Sequence, residues 1–188
     1  MIHHIDLGSV LRGSVSEQYT NLVTRPTGKS VRGAIEALLG HDEDGDAVTV
    51  IDFTHVGLLD FSCADEIIAK LLQRYDAREP ADAPGAVYFI FRGLNDLHIE
   101  AIEWVLQHHG LALVAEPADG EPHLIGAVDD DERMVWSMVG RIGACTALVV
   151  AEQAGFEPYR AERALVDLWH RRLLRCENGQ FLAARVAS

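Results

Sequence analysis

No apolar run in this sequence approaches the roughly 20 residues that a membrane-spanning helix needs. The opening Met1-Ile2-His3-His4-Ile5-Asp6 has no basic stretch ahead of an apolar one, so neither a secretory signal nor a membrane partner is expected. Cysteine is scarce: Cys63, Cys145 and Cys176 are widely spaced and give neither a disulfide framework nor a CxxC metal pair. A reducing cytoplasm is the expected home. Basic charge is also short. Sixteen Lys and Arg face 29 Asp and Glu, a net charge of −13, which argues against a broad, sequence-independent grip on nucleic acid or anionic membrane.

The usual catalytic and ligand motifs are missing too. Gly28-Lys29-Ser30 ends like a phosphate-binding loop, but Val23 stands where that motif needs its first Gly. Asp42-Glu43-Asp44-Gly45-Asp46 lacks calcium-loop spacing, because Ala47 occupies the Gly position; it reads as a solvated acidic turn. The adjacent pairs His3-His4 and His108-His109 diverge on either a strand or a helix, and no Cys/His ligand spacing accompanies them. Cys63 lacks the Arg six residues later that a Cys phosphatase uses, Ala69 being there, and reads as a packed thiol. There is no Gly-x-Ser-x-Gly elbow. The expectation is a protein without catalytic set, metal or cofactor.

What is present is a core. Apolar residues make up 48% of the 188 positions, enough for one domain, or one of ordinary size with a small companion. Residues 1–128 hold 8 basic and 20 acidic side chains, and residues 129–188 hold 8 and 9. This shift follows the Pro- and Gly-bearing stretch 116–122 and places a boundary near 127, dividing the chain into 1–126 and 127–188.

The first part alternates strand and helix signals. Ile2 to Leu11 reads as an edge strand. Val31, Ala34, Ile35, Leu38 and Leu39 recur at helical spacing, with Ser30 as the expected start and Gly40 as the C-cap. Val48–Phe53 and Ala86–Phe91 read as strands, the second covered on both faces. Ala64, Ile67, Ile68, Leu71, Leu72 and Tyr75 form the cleanest helical stripe. A third helix through Leu97, Ala101, Ile102, Val105 and Leu106 is opened by Asn95-Asp96 and closed by Gly110, and short strands follow at Leu111–Val114 and Leu124–Val128. Strands separated by single helices mean βαβ units, hence an α/β class.

The second part begins with Asp129 and Glu132 in capping-box spacing. Ala151, Gly155, Phe156, Ala161 and Ala164 have the small-residue and turn spacing of a helix-turn-helix, and Leu165 and Leu168 extend the stripe. Asn178-Gly179 between two strand-like runs signals a hairpin. Helix-turn-helix followed by a hairpin is a winged helix.

The segment Val48-Thr-Val-Ile-Asp-Phe-Thr-His-Val-Gly-Leu-Leu-Asp-Phe-Ser-Cys-Ala-Asp-Glu-Ile-Ile68 resembles the STAS domain of anti-sigma factor antagonists. Asp52 ends the strand and Asp60 precedes the helix, as in that family. Ala64-Asp65-Glu66 brings it nearer to STAS-like domains of unassigned function. The resemblance spans residues 20–115 by element order and 48–72 by motif. It implies a mixed sheet with helices mainly on one side, and binding to a regulatory protein partner rather than catalysis. Asp60, Phe61 and Ser62 are then the partner-facing residues. Phospho-switched members carry Ser or Thr directly after the second Asp, where this chain has Phe61. Ser62, one place on, is open to two readings, a phosphorylation target or an N-cap with Asp65 three residues later.

Arg160, Arg163, Arg171 and Arg172 lie on or after the expected second helix of the winged helix, the side-chain type that DNA readers use on phosphates and guanine edges. Glu157, Glu162 and Asp167 among them suit an ordinary solvated helix equally well. Two functions follow: an adaptor that docks a protein partner, or a DNA-binding transcription regulator whose first domain senses or forms a homodimer.

Overall fold

The computed structural model describes residues 2–14, 20–39, 47–76, 87–117 and 120–184. Four strands, β1 (Ile2–Asp6), β2 (Ala47–Asp52), β3 (Val87–Arg92) and β4 (Ala112–Glu116), run parallel and lie side by side in chain order. β5 (His123–Gly126) returns antiparallel to β4. The crossovers carry α1 (Leu7–Ser14) and α2 (Arg25–Leu39), then α3 (Phe61–Ala64) running through a π-helical turn at Asp65–Ala69 into α4 (Lys70–Tyr75), then α5 (Asp96–His109).

A sheet that grows in one direction by right-handed crossovers collects its helices on one face. Ile51, Phe89, Phe91 and Leu113 from the strands, with Phe53 just after β2, accordingly share one core with Leu11, Ile35, Ile67, Ile68 and Ile102 from the helices. The α/β class and the mixed sheet agree with the sequence reading.

That topology leaves a second apolar face, formed by the alternate strand residues. The last third of the chain lies on it. Here stand α6 (Asp130–Ile142), α7 (Ala147–Ala154), α8 (Pro158–His170) and an antiparallel pair, β6 (Leu174–Glu177) and β7 (Gln180–Ala183). Ala112, Val114 and Leu124 of the sheet pack in one cluster with Val135, Val139, Leu165, Leu168 and Phe181. Val48, Val50, Tyr88 and Ile90 cluster with Ala184. Buried Trp136 donates its indole N–H to the Leu173 carbonyl at 3.1 Å. The elements after residue 127 and the sheet before it therefore share buried apolar surface.

Several local expectations hold. Asp129 and Glu132 form the reciprocal capping box at α6, Asn95 caps α5, and Asn178-Gly179 both take positive φ (51° and 77°), as a tight hairpin turn demands. Other expectations are corrected. β1 stops at Asp6, because its carboxylate accepts from Gly8 N (2.9 Å) and Ser9 Oγ (2.7 Å) and turns the chain into α1. α2 begins at Arg25, not after Ser30: Pro26 fits a first turn, whose N–H groups lack helical partners, and Gly28 N already bonds Thr24 O at 3.0 Å. The last sheet strand ends at Gly126 rather than Val128. Gly40 and the acidic turn 42–46 lie outside the described residues.

Candidate functional site

The loop after β2 is pinned before it reaches α3. Leu22 N donates to Leu58 O (2.7 Å), Asp60 N donates to Leu22 O (2.8 Å), and His98 Nε2 lies 2.9 Å from Gly57 O. Phe53 packs beneath the buried His98 ring, 5.8 Å between centroids. Burial pushes the His98 pKa down, against the Gly57 hydrogen bond that raises it, so the imidazole serves as a neutral bracket between loop and helix. The α3 N-terminus thus has a fixed position beside α5.

Asp60 is the N-cap. Its Oδ1 accepts from Cys63 N at 2.8 Å and from Ser62 Oγ at 2.9 Å. This corrects the capping alternative for Ser62: the carboxylate two residues earlier reaches the orphan amide, and the Ser62 hydroxyl is spent on it. A phosphate on Ser62 would stand against that carboxylate, a like-charge contact. Cys63, next in line, is buried with its thiol donating to Thr24 O at 3.0 Å. Burial first, and the Asp60 charge second, push its pKa up to about 11. That is the reverse of what a thiolate nucleophile requires.

Phe61 is different in kind, because it points outward. The residue is 49% exposed, and its ring meets that of Trp104 of α5, 60% exposed, edge-on at 5.4 Å. Trp104 in turn stacks on His108 one turn later, 5.7 Å apart and 4° from parallel. Leu97 lies seven residues before Trp104, hence on the same face of α5, and is 62% exposed. Leu58, on the pinned loop, is exposed too. Glu100, exposed, lies between Leu97 and Trp104, and Asp96 and Asp60 stand at the two helix starts. The result is a rigid apolar and aromatic surface with acidic side chains around it. Phe61 was legible from sequence as part of this loop. Trp104, Leu97 and His108 were not: Leu97 belongs to the apolar spacing that marks the helix, and Trp104 stands one residue from Val105, which is buried.

The four arginines of the C-terminal segment separate. Arg160 grips Asp131 with two bonds (Nε–Oδ2 2.6 Å, Nη2–Oδ1 2.5 Å) and covers the Phe156 ring at 4.2 Å. Arg171 is nearly buried, donating to Glu132 Oε1 at 2.9 Å and to the Ala127 carbonyl at 2.5 Å. Arg172 lies over the Tyr88 ring at 5.7 Å, facing the sheet. Arg163 is exposed on α8. These side chains do not converge on one outward surface; Arg160 and Arg171 pair with the α6 start and Arg172 faces the sheet.

Among the described residues no group of His, Cys, Asp and Glu could hold a metal ion, and no helix is long and apolar enough to cross a membrane. The chain matches no protein-family model, no curated protein and no solved structure.

Proposed function

We propose that this chain is a non-catalytic regulatory protein whose STAS-like α/β domain docks a protein partner, with α6–α8 and the β6–β7 hairpin forming a winged-helix-like companion. One observation carries the reading: Phe61 and Trp104, in mutual contact on two anchored helices, are left 49% and 60% exposed. Such exposure of large aromatics on rigid elements is what docking surfaces present, since Trp and other large aromatics dominate binding energy when a partner covers them. The acidic residues Asp60, Asp96 and Glu100 around them select a partner whose apolar side chains are flanked by Lys or Arg.

The winged-helix part of the reading rests on the α7–turn–α8 pair, the Asn178-Gly179 hairpin, and the bridge of Cys145 to Phe181 beside that hairpin. The pairing of Arg160 and Arg171 within the chain favours protein contact over DNA contact for this segment. Cytoplasmic placement belongs to the same proposal and rests on the three free thiols.

Affinity capture from the native host tests the docking surface with the Phe61→Ala/Trp104→Ala double variant. The reading expects a protein retained by the parent chain and lost with the variant, while the thermal midpoint moves little. Identical capture by both proteins would overturn it.

A further inference from the structure

The chain has only two lysines, Lys29 and Lys70, against 29 acidic side chains. Both line the same concavity. It has a volume of about 480 Å³ and is bounded by Arg25, Pro26, Lys29, Arg32, Glu66 and Lys70. Arg25, Lys29 and Arg32 stand at i, i+4 and i+7 along one face of α2. Lys70 faces them from the first residue of α4. Gly28 lets α2 approach α3 and the π-helical turn that leads into α4: a Cβ there would lie 3.1 Å from Glu66 Cβ and 3.3 Å from Cys63 Cα.

Glu66 organises this group from below. Its side chain is only 3% exposed, and it takes Arg32 on Oε1 (3.0 Å) and both Lys70 (2.5 Å) and Arg25 (3.3 Å) on Oε2. One cation would neutralise it; three are gathered. Counting the neighbours, five cations (Arg25, Lys29, Arg32, Lys70, Arg74) meet three carboxylates (Glu36, Asp65, Glu66). The surplus is positive, in a protein that is otherwise strongly negative.

Two further features point to a ligand rather than to a structural ion pair alone. Nε of Arg32 is buried without a partner among the described residues, and Lys29 makes no ion pair there. Glu66 and Asp65 also sit in the π-helical turn, a distortion that interrupts the regular ladder and recurs at functional sites.

We propose that the concavity between α2 and α4 binds a phosphate-bearing anion, with Lys29, Lys70, Arg25 and Arg32 as donors and Glu66 holding three of them in place. Guanidinium and ammonium groups converging from two helices suit tetrahedral oxyanions, which accept several charge-assisted hydrogen bonds at once. The inference is independent of the docking surface at Phe61 and Trp104.

Isothermal titration of the full chain at low ionic strength with pyrophosphate tests it, with inorganic phosphate and ADP as further arms. The expected result is saturable pyrophosphate binding, weakened about tenfold or more by Lys29→Gln and unaffected by Arg141→Gln on the exposed surface of α6. Lys29 is exposed and unpaired, so its variant folds as the parent does. Tighter ADP than pyrophosphate binding assigns an organic phosphate, and equal or weaker ADP binding assigns the oxyanion alone. Absence of saturable binding of any of the three, or equal loss in Lys29→Gln and Arg141→Gln, overturns the proposal.

Discussion

His109 Nε2 lies 2.7 Å from Oδ1 of Asp65, and the other oxygen of that carboxylate accepts Arg25 Nη1 at 2.9 Å. One side chain of the π-helical turn thereby joins the end of α5 to the start of α2. It also links the aromatic surface, through His108 beside His109, to the basic concavity around Glu66.

That relation predicts an acid-sensitive fold. Burial alone would raise Asp65 and Glu66, but His109 and Arg25 on the first, and Lys70 and Arg32 on the second, bring both below their ordinary values of 3.8 and 4.5. Carboxylates depressed in the folded state contribute stability above the unfolded-state pKa and lose it as pH falls through the folded one. The thermal midpoint of the parent chain should therefore drop on acidification below about pH 4.5, and the drop should be shallower in Asp65→Asn. Parallel pH profiles for the two proteins would contradict this.

Asp60 should behave as a cap. Asp60→Asn keeps an oxygen for Cys63 N and should leave stability nearly unchanged, whereas Asp60→Ala should cost about 1 kcal/mol. Urea denaturation of the two variants separates these outcomes.

Arg171 should matter to stability far more than Arg163. Arg171→Ala leaves Oε1 of the mostly buried Glu132 carboxylate and the Ala127 carbonyl without the Arg171 donor, Oε2 keeping Asp129 N, for a loss of about 2–3 kcal/mol. Arg163→Ala, on the exposed side of α8, should stay within about 0.5 kcal/mol. Equal effects would mean that the C-terminal elements are not held by the Arg171 contacts.

The thiols should divide by burial. Cys63 and Cys145 are buried, and burial raises the pKa of each. Cys176 is partly exposed. A thiol-specific reagent should modify Cys176 in the native protein, and Cys63 and Cys145 only once denaturant is added. Rapid native modification of Cys63 would contradict its reading as a packed thiol.

Much of the framework was legible because its signals are local. Periodicity of 3.6 over Ala64–Tyr75 and the continuous apolar run of β3 fix element types, and the Asn95 and Asp129 caps fix two helix starts. The start of α2 was misplaced because Ser30 offered a nearer cap than the Thr24-Arg25-Pro26 start that the chain uses. The concavity was not legible: Lys29 and Lys70 are 41 positions apart, and only the packing of α2 on the π-helical turn brings them together. The surface at Phe61 was half legible, since the loop announces itself but the exposure of Trp104 depends on how α5 is rotated on the sheet.

A photo-crosslinking residue in place of Glu103, exposed beside Trp104, tests the docking claim most directly when the protein is expressed in its native host. The account predicts an adduct with a different protein, of one discrete mass, that disappears in the Phe61→Ala background and does not form from a probe at Arg141 on α6. An adduct unchanged by Phe61→Ala, one at twice the chain's own mass only, or none beyond those formed from Arg141 would contradict it.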